Sequence, residues 1–298
     1  MKRIMMETAV VLGFATLTYL TPYYSWLFVL MSIYALLTLS WLFMRMAGRI
    51  SMGHSFLFGF PVFLASLGYS FSFDLSIQLF LAGCVLSFAI FYIFTEMTGR
   101  TAFVFLTLVF SIFVWVSSPK LVFEKDGYLI GGEVGFSFPV MSQKELHILT
   151  AFTLASLYLL YRLVENSKAG YFMRAVGDDE TASKAVGINL RKMKALSSLL
   201  SGITAWSAGI IYGFEFGHIS PEIFSIEISV FPFIASLIGS GNPLASVLSS
   251  FGLVYLSKIL NSTYPGLMGM VYASILVLSP KIGWWVYVKG KRLDEKAG

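Results

Sequence analysis

Long apolar stretches alternate with short polar breaks along this chain. The stretches run near 4–20, 23–44, 51–70, 75–95, 101–118, 147–164, 195–214, 227–240, 244–261 and 265–281. A straight helical crossing of a bilayer takes about 20 apolar residues. The pattern therefore predicts an all-α, polytopic transmembrane bundle of about ten membrane segments, one transmembrane domain over 1–298. Two stretches are weak. Residues 51–70 carry Gly53, Gly59, Pro61 and Gly68, and 227–240 carry Pro232 and Gly239. Segments of this kind are expected to be broken or re-entrant, with freed backbone groups facing protein or a cavity.

The most polar break is Tyr171–Lys194, inside a loop spanning about 165–194. It gathers Arg174, Lys184, Arg191, Lys192 and Lys194 with Asp178, Asp179 and Glu180. Residues 178–185 suit a short helix, with Asp178 or Asp179 as N-cap and acids at the positive end of the dipole. Gly187 is placed to stop it with a positive φ. The residues alone leave two readings, a solvated loop or a docking element for a soluble partner.

Composition sharpens the class. The chain is 57% hydrophobic and 12% charged, with a mean hydropathy of +0.77. A soluble domain carries about 25% charged residues. The net charge of +5 does not point to nucleic acid, because the cations sit in breaks beside apolar runs. With the N-terminus inside, all but Lys120, Lys125, Lys144 and Lys258 of the 21 Lys and Arg fall on the inner side. The positive-inside rule then predicts cytoplasmic N- and C-termini in a cell membrane. It also predicts a cytoplasmic 165–194 loop, an external 119–146 loop and a cytoplasmic tail at 281–298. Met1-Lys2-Arg3 and the following run read as a retained first span, since no clear cleavage site follows.

The chemistry is sparse. One cysteine, Cys84, and three separated histidines offer neither a metal cluster nor a catalytic triad, and no phosphate-cradling glycine loop occurs. No cofactor is expected. The pathway candidates are Ser51, Gly53, His54 and Ser55, a small-residue stretch with an intramembrane histidine, and Gly239, Ser240 and Asn242 in a break between spans. His54 is also explained by a bond to a neighbouring carbonyl. Glu96 and Arg100 are four apart and suit a helical pair, though Gly99 equally suits a turn. The 119–146 loop reads as turns with a short strand pair. Ser220, Pro221 and Glu222 suit the start of a surface helix on the outer side. Gly202, Ala205 and Gly209 share one helical face that favours close packing.

These motifs resemble LivM-type permeases, the membrane subunits of branched-chain amino acid ABC importers. Ile50–Phe56 is similar to the family's Ser-Leu-Gly-His stretch. Residues 96–108, with Thr107-Leu108, resemble its Arg-Gly-x-Tyr-Phe-Ala-x-x-Thr-Leu region. Arg174-Ala175-Val176 through Gly187-Ile188 is similar to its cytoplasmic motif, and His218–Phe224 to its Ser-Pro-Glu/Asp-x-Phe loop. Pro61, Phe63, the 131–135 stretch and the short 239–242 break depart from the family pattern. The resemblance implies a coupling helix within 171–194, with Arg174, Asp178, Asp179, Glu180, Lys184 and Gly187 meeting the ATPase. It further implies two cytoplasmic ATP-binding subunits, a second and different permease, and an extracytoplasmic solute-binding protein docking near Ser220, Pro221 and Glu222. The solutes left open are branched-chain or other amino acids, urea and short amides, with sugars and nucleosides weaker options. An ion-driven secondary transporter is the alternative of another class. It would need a mid-depth carboxylate, and only Glu7, near the inner end of the first span, is close.

Overall fold

The computed structural model describes residues 2–19, 22–125, 127–264, 267, 269–275 and 277. Its framework is helical. α1 (Lys2–Thr18), α2 (Pro22–Met46), α3 (His54–Tyr69), α4 (Phe73–Met97) and α5 (Arg100–Ser117) precede an irregular loop. α6 (Gln143–Glu165), α7 (Lys168–Asp178), α8 (Glu180–Ala185) and α9 (Leu190–Phe216) follow, then α10 (Ile226–Ile238) and α11 (Pro243–Thr263). Six of these helices, α2, α4, α5, α6, α9 and α11, are long and apolar enough to cross a membrane. Of the tenth predicted segment, 265–281, residues 267, 269–275 and 277 are described, all of them helical, while the tail at 281–298 lies outside the described residues.

α2 is the axis of the bundle. It packs against α6, α9, α10 and α11, and 89% of its apolar stretch is buried, against 22% for α4 and for α5. A helix that is apolar all round belongs inside. α4 and α5 are as apolar but leave Leu81, Val85, Met97, Phe105 and Phe113 more than half exposed. An exposed apolar belt of this extent suits lipid rather than water.

The two weak stretches are short rather than broken. α3 has 16 residues and holds Pro61 within its length, and α10 has 13 and holds Pro232. Both prolines are buried against protein. Small residues let α3 sit close to its neighbours. A Cβ at Gly53 would collide with the Thr107 carbonyl of α5, and one at Gly209 of α9 with the Phe58 carbonyl.

The 119–146 loop forms a hairpin, β1 (Val122–Lys125) with β2 (Tyr128–Gly131), in antiparallel register from Val122 opposite Gly131 to Lys125 opposite Tyr128. A second pair was not foreseen: β3 (Phe136–Ser137) lies antiparallel to β4 (His218–Ile219). The Phe138 amide also donates to the Gly217 carbonyl at 2.9 Å. This loop and the α9–α10 connection therefore form one surface. Ser220–Glu222 do start a helix, with Ser220 as its N-cap and Pro221 first in it, but not the surface helix expected. Pro221–Phe224 is a single 3-10 turn with Pro221, Ile223 and Phe224 buried, so of the three docking candidates Glu222 is the exposed one.

Candidate functional site

The charged module between α6 and α9 differs in detail from the helix expected at 178–185. Asp178 ends α7. Asp179 is the extended residue between the helices, and its Oδ1 accepts from the amides of Thr181 and Ala182, capping α8. The expectation of Asp178 as cap is thus corrected: its φ/ψ belong to the preceding helix, while Asp179, at φ −147° and ψ 111°, has the extended backbone a cap needs. Gly187 stops the module at φ +85°, with open space around it, so it is chosen for backbone shape and not for packing. Asn189 then caps α9 through the Lys192 amide.

The module's charges are mostly spent inside the protein. Glu180 pairs with Arg49 through Oε1 at 3.0 Å and with Lys194 through Oε2 at 2.9 Å. Arg49, 1% exposed, also donates to the Thr98 carbonyl at 2.9 Å. Burial pulls the Arg49 guanidinium below its ordinary pKa, and Glu180 works against that. Arg100 does not pair with Glu96. α4 ends at Met97, the Gly99 turn intervenes, and Arg100 donates to the carbonyls of Val176 and Asp178. Glu96 meets Arg191 at 3.5 Å instead. Arg174 donates to the Glu165 carbonyl at 2.9 Å and lies over the Tyr171 ring. α7 and α8 are thereby fastened to the α2–α3 loop, the α4–α5 turn and the start of α9. Among the coupling candidates, Asp178, Asp179, Lys184 and Gly187 are exposed, and Thr181, Ala182 and Val186, the last 76% exposed, flank Lys184 and Gly187. Arg174 and Asp178 share a cavity of about 310 Å³ with Arg45, Tyr161 and Glu165.

Ser51, Gly53, His54 and Ser55 come together, but in packed protein. All four are buried, and they line neither this cavity nor the one described next. The Ser51 carbonyl accepts from Trp41 Nε1 at 2.9 Å. The Ser40 hydroxyl donates to the Ser201 carbonyl at 2.7 Å and lies 2.7 Å from His54 Nε2. That arrangement assigns the ring proton to Nε2 and leaves Nδ1 without a partner. His54 thus meets the Ser40 hydroxyl and not a backbone carbonyl. Ser55 joins Ser111 and Ser229, each at 2.7 Å. At the α10–α11 break, Asn242 caps α11 by accepting from the amides of Leu244 and Ala245, and Gly239 is buried against Ser246. Ser240 is exposed at φ +50°.

Sequence reasoning missed three features. His147, taken only as the start of a span, bridges Ser25 and the Ala15 carbonyl, each at 2.9 Å, joining α6 to α2 and α1. Glu7 is not a lone membrane carboxylate, since Arg162 and the Tyr158 hydroxyl each hold it at 2.9 Å. The third is a cavity of about 580 Å³ at the end opposite α7–α8. Tyr34 of α2, Tyr212 of α9, Glu222, Glu227 of α10, and Lys258 and Asn261 of α11 line it.

Among the described residues no group of His, Cys, Asp or Glu is set to hold a metal. The fold is that of a lipid-compatible helical bundle with a charged module at one end and a cavity at the other, the class of an integral membrane protein. Residues 23–280 match the family described as branched-chain amino acid transport system, permease component, and the chain belongs to it. It is a multi-pass membrane protein and a transport subunit that is not itself catalytic. No curated protein and no solved structure matches it.

Proposed function

We propose that this chain is the membrane-spanning permease of an ABC importer for branched-chain or closely related amino acids. Two separate cytoplasmic ATP-binding subunits drive it, a second, different permease completes the conduit, and an extracytoplasmic binding protein delivers the solute. The observation that carries this reading is the anchorage of α7–α8. The module's ion pairs reach the α2–α3 loop and α9, and Arg100 reaches it from the α4–α5 turn. A partner pushing on the exposed Lys184–Gly187 face therefore moves several helices as one body. The permease does no covalent chemistry; it alternates between two conformations whose balance is set by what is bound.

In this reading the α7–α8 end and both termini are cytoplasmic, in keeping with the cation distribution. The linked 119–146 and 215–227 segments receive the binding protein. The ion-driven alternative is not favoured, because Glu7 is ion-paired with Arg162 and accepts from the Tyr158 hydroxyl, and so is not offered to an ion. Urea and amides are not favoured by the family assignment.

The test uses Lys184→Glu combined with Val186→Asp, two exposed positions whose side chains make no hydrogen bond or ion pair among the described residues. The expected result is normal insertion and thermal stability, with loss of ATPase co-purification and of amino acid uptake. Unchanged co-purification and uptake would place the motor's contact elsewhere.

A further inference from the structure

We propose that the cavity beside α10 is where the permease itself holds its solute, and that it recognises an aliphatic α-amino acid as a zwitterion. This rests on the importer reading above and adds to it a site and a basis for selectivity. The volume, about 580 Å³, lies within the range of small-molecule sites, about 300–1,000 Å³. The wall carries both signs of charge. Glu222 and Glu227 are exposed to the cavity, and their carboxylates make no hydrogen bond or ion pair among the described residues. α11 contributes Lys258 and Asn261 to the same wall, the Asn261 amide donating to the Ser257 hydroxyl at 3.3 Å. The Lys258 ammonium rests 4.3 Å from the centre of the Trp26 ring, a weak contact at an exposed site.

Several carboxylates elsewhere are paired, Glu7 with Arg162, Glu180 with Arg49 and Lys194, and Glu96 with Arg191. Two carboxylates and one ammonium around one cavity match the two charged ends of an amino acid. The ammonium goes to Glu222 and Glu227 and the carboxylate to Lys258 and Asn261. The floor suits the rest of the solute. Leu30, Ile228, Phe231 and Val254 supply an apolar surface, with Phe231 seated 4.4 Å from the Tyr34 ring centre. A neutral amide or urea has no formal charge to satisfy these groups and would leave them in water.

The protein supplies its own probe. Its single cysteine, Cys84, is buried on α4. Ser257→Cys therefore puts one reactive thiol on the cavity wall. In membrane vesicles holding the full chain, the rate of labelling by a charged methanethiosulfonate is measured against added leucine, leucinamide, 4-methylpentanoate and urea. Leucine is expected to slow labelling several-fold, and the two half-charged analogues and urea are not. In the same background, Lys258→Gln and Glu227→Gln should each raise the half-protecting leucine concentration on the order of tenfold.

No protection by leucine, equal protection by urea, or unchanged half-protection in both charge variants overturns the site. Protection requires no ATPase, so this result stands apart from the importer reading. Leucine uptake by the assembled complex without protection would sink the site alone, whereas protection without uptake would sink the importer reading and keep the site.

Discussion

At the α7–α8 end of the bundle, Glu180 is shared by Arg49 and Lys194, and Arg100 reaches two main-chain carbonyls. At the opposite end, Glu222, Glu227 and Lys258 border one cavity and leave one another alone. The residue types are the same, but their partners differ. Charges that satisfy each other stiffen the structure, while charges that face an opening are held ready for something that arrives. The comparison separates a lever from a receptacle, and stability measurements distinguish the two.

The largest effect is expected for Glu180→Ala. Removing one partner of a fully buried pair costs about 3–5 kcal/mol. The Glu180 side chain is 30% exposed, so a loss of about 2–3 kcal/mol is expected in thermal unfolding of the purified chain. A loss no greater than that of Glu227→Ala at the other end would erase the contrast.

Gly187→Val comes next. The added side chain meets nothing within 4 Å, so its cost is backbone strain alone, about 1–2 kcal/mol. Solute-stimulated ATP hydrolysis should fall with it, and Gly187→Asn should keep most of both, since Asn tolerates the left-handed region. Equal behaviour of the Val and Asn variants would refute the role assigned to φ.

Asp179→Ala should cost about 1 kcal/mol as a lost cap. The neighbouring Asp178→Ala should stay within about 0.5 kcal/mol. Reversed magnitudes in denaturation would return the cap to Asp178. The smallest stability change belongs to Glu222→Gln and Glu227→Gln, each within about 0.5 kcal/mol. A larger drop in melting temperature for either would make the cavity charges structural.

Much of the architecture was readable from the apolar pattern. The first nine predicted segments correspond to α1–α6 and α9–α11, displaced at their ends by a few residues. Gly187 was legible because few other reasons put a glycine between Val186 and Ile188 in a polar loop. The choice between Asp178 and Asp179 was not, since two adjacent acids have the same intrinsic preference and tertiary contacts decide the register. The Arg49–Glu180 pair spans 131 positions, beyond any local periodicity. The cavity was hidden for the same reason: α2 brings two of its residues, α9 one, α10 three and α11 four. His54 was visible as an oddity, but a sequence does not show that its neighbour would be Ser40.

Hydroxyls stitch the interior of this bundle. Thr38 meets Ser250, Ser40 meets His54 and Ser201, and Ser55 meets Ser111 and Ser229, so that α2, α3, α5, α9, α10 and α11 are joined by short polar stitches. Inside bilayers each such contact averages about 0.6 kcal/mol, and a hydroxyl rotates freely to serve a new acceptor. A seam of this sort unpicks and resews one stitch at a time, letting neighbouring helices glide without ever parting.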